Sequence, residues 1–207
     1  MTNKEIFDSY SIPFRLIEQQ ETADNLVIIL PGAGYTTQAP LLHFTTSLFY
    51  TKGFDVLHIN YSFSKQELSY LSEKDFTIEI QRTIGKAIEN KKYKNIFVVA
   101  KSIGTIALSY LLHNKMLKDA KTIWLTPLLQ RDDVFKAMVT SENKGLCIIG
   151  DKDSCFIAER FEKLKNNRQL TFHLVEGGNH SLELDGLPIE SVEILKGVLM
   201  EISNFEI

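Results

Sequence analysis

Apolar positions along this chain follow two rhythms. Leu26 to Leu30 and Ile96 to Ala100 are unbroken apolar runs, the second with three β-branched residues. Such runs suit strands buried on both faces of a parallel sheet. Phe54 to Asn60, Thr122 to Leu125, Leu146 to Ile149 and Leu170 to Val175 read as further strands. Residues 11–20 instead alternate around Ile12, Phe14 and Leu16, as an edge strand with one wet face does. Between the strands, apolar residues return at helical spacing: Leu41, Leu42, Phe44, Leu48 and Phe49, closed by Gly53; then Phe76, Ile80, Ile84, Ala87 and Ile88; then Ile103, Ile106, Ala107, Tyr110 and Leu111. A helix is expected from Asp132 to Met138, and a last one on Val192, Leu195, Val198, Leu199 and Ile202. Residues 61–72 carry no period and read as a loop overhanging a strand's carboxyl end.

Strand and helix alternate to the end, which predicts the α/β class: a mostly parallel central sheet of about seven strands flanked by helices. No linker, internal repeat or low-complexity segment divides residues 1–207, so one domain is expected. Only about twenty residues separate the strand ending at Leu125 from the one starting at Leu146, enough for one helix but not for a cap domain.

Composition narrows the function classes. The 207 residues are 44% apolar and 24% charged with a net charge of -3, so no basic footprint points to nucleic acid. Lys91, Lys92 and Lys94 stand where a helix should end and read as a solvated terminus favoured by the helix dipole. The amino terminus lacks the charged-then-apolar pattern of a signal peptide, and no apolar run is long enough to span a bilayer. Cys147 and Cys155 do not form a metal or redox spacing. A cytoplasmic home, reduced thiols and no membrane partner are therefore expected; oligomeric state is not readable.

The chemistry concentrates at Ala100-Lys101-Ser102-Ile103-Gly104, where a buried strand passes into a helix within two or three residues. A serine on so tight a turn is pushed out above the sheet on a strained backbone, over a helix N-terminus. Small residues are needed two positions either side, and Ala100 and Gly104 supply them. Taken by itself, Ser102 also reads as a helix N-cap or a phosphate-binding helix start.

The segment resembles the GxSxG nucleophile elbow of the α/β-hydrolase superfamily, with Ala100 in place of the usual first glycine. The resemblance runs over nearly the whole chain and is to the compact, lidless, dienelactone-hydrolase-like type. It implies a fixed order of nucleophile, acid and base. In Gly150-Asp151-Lys152-Asp153 it points to Asp153 as the acid, with Asp151 as the fallback. Both aspartates also read as caps of a helix beginning near Phe156. In Glu176-Gly-Gly-Asn-His180 it points to His180 as the base. His43 and His113 fall on expected helices, His58 and His173 within strands.

The same resemblance implies an oxyanion hole from the N–H groups of Ala33, in the loop Pro31 to Tyr35, and Ile103, with Gly34 and Tyr35 close to the substrate. Lys101 reads as a solvated lysine or, as a minority reading, a guide for an acidic substrate. Trp124 and the segment Thr126 to Leu129 read either as core or as lining of an acyl pocket. The implied function is hydrolysis of a small or medium ester or thioester by a serine hydrolase needing neither metal nor cofactor, its partner a small-molecule acyl substrate. A degenerate, non-catalytic binding domain, a flavodoxin-like phosphate binder, an acyltransferase and a peptidase are the alternatives.

Overall fold

A computed structural model describes residues 12–63, 67 and 72–205. Seven strands form one sheet: β1 (Phe14–Ile17), β2 (Asn25–Leu30), β3 (Phe54–Ile59), β4 (Asn95–Lys101), β5 (Lys121–Leu125), β6 (Gly145–Gly150) and β7 (Leu170–Val175). Their order is β1-β3-β2-β4-β5-β6-β7. β1 runs antiparallel to β3, and every other neighbouring pair is parallel. The helices are α1 (Pro40–Thr51), α2 (Glu73–Ala87), α3 (Gly104–Leu111), α4 (Asp132–Thr140), α5 (Ala158–Leu164) and α6 (Pro188–Asn204).

The alternation of side chains along each strand builds two cores. Leu26, Ile28, Leu30, Val98, Ala100, Trp124 and Cys147 face one side, where α2, α3, α4 and α5 supply Phe76, Ile106, Val134 and Phe161. Val27, Ile29, Phe97, Val99, Ile123 and Ile148 face the other, covered by Leu41, Phe49, Val198 and Ile202 of α1 and α6. At about 1.5–3 kcal/mol for each fully buried large aliphatic side chain, these layers hold the sheet against chain entropy. β4 is the central strand, and its carboxyl end lies on the edge where all six parallel strands, β3, β2, β4, β5, β6 and β7, pass into loops.

Several expectations shift. The edge strand shortens to Phe14–Ile17, and its two faces are both only partly covered: Leu16 packs on one core, Ile17 on the other. α5 starts at Ala158 with no side-chain cap, so neither Asp151 nor Asp153 caps it. His113 lies in the turn after α3 rather than on it. Trp124 is wholly buried, its indole N–H donating to Thr122 Oγ1 at 3.0 Å, and is core rather than pocket lining. The expected loop 61–72 falls largely outside the described residues.

Candidate active site

Ser102 follows β4 directly and takes φ 53°, the left-handed region that a side chain ordinarily avoids. Three interactions hold it there. Its N–H donates to the Leu125 carbonyl at 3.1 Å, and its own carbonyl accepts from Thr105 N (2.9 Å) and Thr105 Oγ1 (2.6 Å). α3 can start immediately because Gly104 lies against β2: a Cβ there would stand 2.4 Å from the Leu30 carbonyl oxygen. Ala100, wholly buried, is accommodated in this elbow without a glycine.

Two loops from β6 and β7 bring the other groups. Ser102 Oγ lies 2.8 Å from His180 Nε2, and His180 Nδ1 lies 2.8 and 2.9 Å from the two oxygens of Asp153. With a carboxylate facing Nδ1, that nitrogen carries the proton and Nε2 accepts from the serine hydroxyl. The Asp153 side chain is fully shielded, whereas that of His180 is 37% exposed, so the line runs from a buried anion to an accessible hydroxyl. Burial alone pushes the Asp153 carboxyl up. Hydrogen bonds from His180 and from Cys155 N–H (2.8 Å), with the charges of His180 and Lys101, outweigh it and hold the group below its usual range. Asp153 in turn raises His180, helped by the Cys155 thiol, against burial and the Lys101 charge.

Asp151 has another task. Its Oδ1 accepts from Gly177 N at 2.7 Å, while Lys152 N donates to the Gly178 carbonyl at 3.0 Å. The two loops touch so closely that a Cβ on Gly150 would sit 1.9 Å from the Gly178 oxygen. The acid-bearing and histidine-bearing loops are thus one unit.

The glycine loop after β2 lies beside the serine, since a Cβ on Gly32 would come within 3.5 Å of Ser102 Cβ. Tyr61 O–H donates to the Pro31 carbonyl and fixes the start of that loop. Among the described residues, the N–H groups of Ala33 and Ile103 have no acceptor. Gly34 is exposed. Tyr35 is more committed: its hydroxyl accepts from Leu41 N at 3.1 Å, and its ring lies under Lys101 Nζ, 4.6 Å away.

Lys101 departs most from expectation. It is 1% exposed rather than solvated, with Nζ donating to the His180 carbonyl at 2.7 Å and to Thr126 Oγ1 at 2.8 Å. It therefore offers no guide to an acidic substrate. The sequence signal was the position itself, beside the nucleophile, with Thr126 and His180 both at carboxyl ends of strands. A cavity of about 450 Å³ lies behind the histidine loop, walled by Tyr35, Leu41, Ser181, Leu182 and Val192; Ser102 is not in its wall.

Asp153, Cys155 and His180 are, among the described residues, the group whose donor atoms converge within 4.8 Å as a metal site requires. Asp153 and His180 are already hydrogen-bonded to each other, and Cys155 Sγ accepts from Gln130 Nε2 at 3.2 Å. No helix of the described residues is long and apolar enough to cross a membrane.

No protein-family model matches the chain, and no curated protein matches its sequence. Solved structures do match in fold. An α/β serine hydrolase without a lid from Xanthomonas campestris is 14% identical, with 91% of this chain and 88% of that one covered at a TM-score of 0.62. Est1E of Butyrivibrio proteoclasticus, with ferulic acid bound, is 12% identical over 93% and 96% at 0.69. A Pyrococcus furiosus esterase is 14% identical over 99% and 96% at 0.65. The chain has the fold of the lidless α/β-hydrolases.

Proposed function

We propose that this chain is a serine hydrolase that cleaves a small or medium carboxylic ester or thioester through an acyl-enzyme on Ser102. The observation that carries the reading is the unbroken hydrogen-bonded line from Ser102 Oγ through His180 to buried Asp153 on the open carboxyl edge of the sheet. A serine hydroxyl is a weak nucleophile at neutral pH, and such a line is what activates it.

In this mechanism Oγ attacks the acyl carbonyl as Nε2 takes its proton. His180 then gives that proton to the leaving group, and water repeats the sequence to release the acid. Asp153 holds the imidazole in the Nδ1–H tautomer and steadies the imidazolium. The unpartnered N–H groups of Ala33 and Ile103 receive the oxyanion, and losing one such donor costs about 2.7–4 kcal/mol in the barrier. None of these steps calls on a metal or cofactor. The free thiols of Cys147 and Cys155 fit a reducing, cytoplasmic setting. Similar structures described as an α/β serine hydrolase and an esterase agree with this chemistry.

The test is labelling with a fluorophosphonate, whose phosphorus takes Oγ and loses fluoride, followed by peptide mapping. Modification at Ser102 that vanishes in Ser102→Ala and His180→Ala is the expected result; a folded wild type that stays unlabelled rules the reading out. An ester, thioester, amide and acyl-acceptor panel then separates hydrolysis from acyl transfer and peptide cleavage.

A further inference from the structure

We propose that Lys101 is a positioning residue for His180: its buried ammonium tethers the main chain of the base, and its charge opposes over-stabilisation of the imidazolium. The inference rests on the roles proposed above for Ser102, His180 and Asp153.

A buried ammonium is costly unless it is paired and hydrogen-bonded. Lys101 meets this with neutral groups: the His180 carbonyl at 2.7 Å, the Thr126 hydroxyl at 2.8 Å and the face of Tyr35 at 4.6 Å. Three partners account for three N–H bonds. Among the described residues no carboxylate lies within ion-pair distance of Nζ. A methionine would fill the same space without the desolvation cost, so a charge at this point calls for a task that a neutral side chain cannot perform.

The first task is mechanical. The loop carrying the base is fastened at Gly177 by Asp151, at Gly178 by Lys152 N–H and at Asn179 by Glu183. Among the described residues, the bond from Lys101 is the hydrogen bond made by the His180 main chain itself. Lys101 is also the residue before Ser102, so one side chain ties the base to the strand end that carries the nucleophile. A shift of about 1 Å between reacting groups is enough to cost two orders of magnitude in rate.

The second task is electrostatic. Asp153 drives His180 towards its protonated form, and Lys101 pulls the other way. A general base is most effective when its pKa lies near the working pH, so a counterweight to Asp153 keeps Nε2 free to accept a proton. The charged and titratable groups acting on Lys101 are Asp153, Glu183 and Cys155, with His180 itself. Burial pushes the lysine down and those three neighbours pull it partly back, leaving it at about 8.

The experiment is the second-order rate of fluorophosphonate labelling at Ser102 between about pH 5 and 10, for wild type, Lys101→Met, Lys101→Arg and Thr126→Val, with a thermal melt of each. Lys101→Met should label about 10- to 100-fold more slowly, with its acid limb moved to higher pH because the opposing charge is gone. A structural gap alone would leave that limb in place. Lys101→Arg should recover part of the rate and return the limb towards wild type, and Thr126→Val should slow labelling by a smaller factor. A folded Lys101→Met that labels at the wild-type rate with an unmoved acid limb overturns the inference. If that variant does not fold, a folded Thr126→Val that labels at the wild-type rate overturns it equally. A wild type that is never labelled is a separate outcome: it removes the serine hydrolase reading, and this inference with it.

Discussion

The two edges of the sheet each bury a charge and treat it differently. At the amino edge Asp55, 2% exposed, accepts from Gln19 N at 2.8 Å and Tyr93 O–H at 2.7 Å, with Lys91 Nζ 3.6 Å away. This anion is matched by donors and a cation and fastens β1, β3 and the start of β4 together. At the carboxyl edge Lys101 has only neutral partners in contact. All three non-glycine residues with positive φ among those described, Ser102, Thr126 and Leu182, lie at this same edge. Such conformations cost about 1–3 kcal/mol each and persist only where the surroundings over-determine them. One edge is a fastening, while the other holds strained backbone and two buried charged groups, Lys101 and Asp153, that do not touch each other, and that asymmetry marks where chemistry would occur.

The sharpest way to break this comparison is Asp153→Asn. It keeps the shape but favours the wrong imidazole tautomer, and kcat should fall by roughly 10³- to 10⁴-fold with little change in melting temperature. Equal activity in the variant would mean that the buried anion of this edge is another fastening.

A buried polar group inside the sheet supplies a control. His58 accepts or donates at Nε2 with Thr46 Oγ1 at 2.7 Å, while its Nδ1 is buried without a partner. Burial first, then the charges of Arg15 and His43, lower it to about 4 from the ordinary 6.5. Between those values the unfolded chain binds a proton that the native state refuses, so stability falls as pH drops from about 6.5 to 4, by up to about 3 kcal/mol. Urea midpoints across that window should show the slope, and His58→Gln should flatten it.

Asp55→Ala at the amino edge should lower stability by about 2–3 kcal/mol, because it strands the Tyr93 hydroxyl and the Gln19 N–H. The labelling rate at Ser102 should remain that of wild type; a matching loss of rate would contradict the division between the edges. The smallest effect is expected from Ala100→Gly. The elbow already forms with alanine, so the labelling rate should change by less than about twofold, and a glycine within β4 should cost only about 0.5–1 kcal/mol.

How far the sequence could be read depended on the range of each interaction. Runs such as Leu26 to Leu30 and the stripe of Phe76, Ile80 and Ile84 report burial locally, and those elements appear where expected. Gly104 was legible as a close approach because the elbow's constraint is also local. Lys101 was not: its partners lie 25 and 79 residues further along the chain, and only the assembled edge shows that a lysine there is buried. The task of Asp151 was equally hidden: the resemblance pointed to Asp153 first and left Asp151 as the fallback, and only the assembled loops put Asp153 against His180 and Asp151 against Gly177. Trp124 offered an apolar residue next to the elbow strand, but which face it took depended on its register against Ala100 and Cys147.

The contact between Gly150 and Gly178 has a consequence for how such a protein could diversify. With no room for a side chain between the two backbones, neither loop can be lengthened or exchanged alone without drawing Asp153 away from His180. Variation, whether by natural drift or by grafting, has to treat the two loops as a single inherited cassette, and new substrate preferences are more readily acquired from segments outside it.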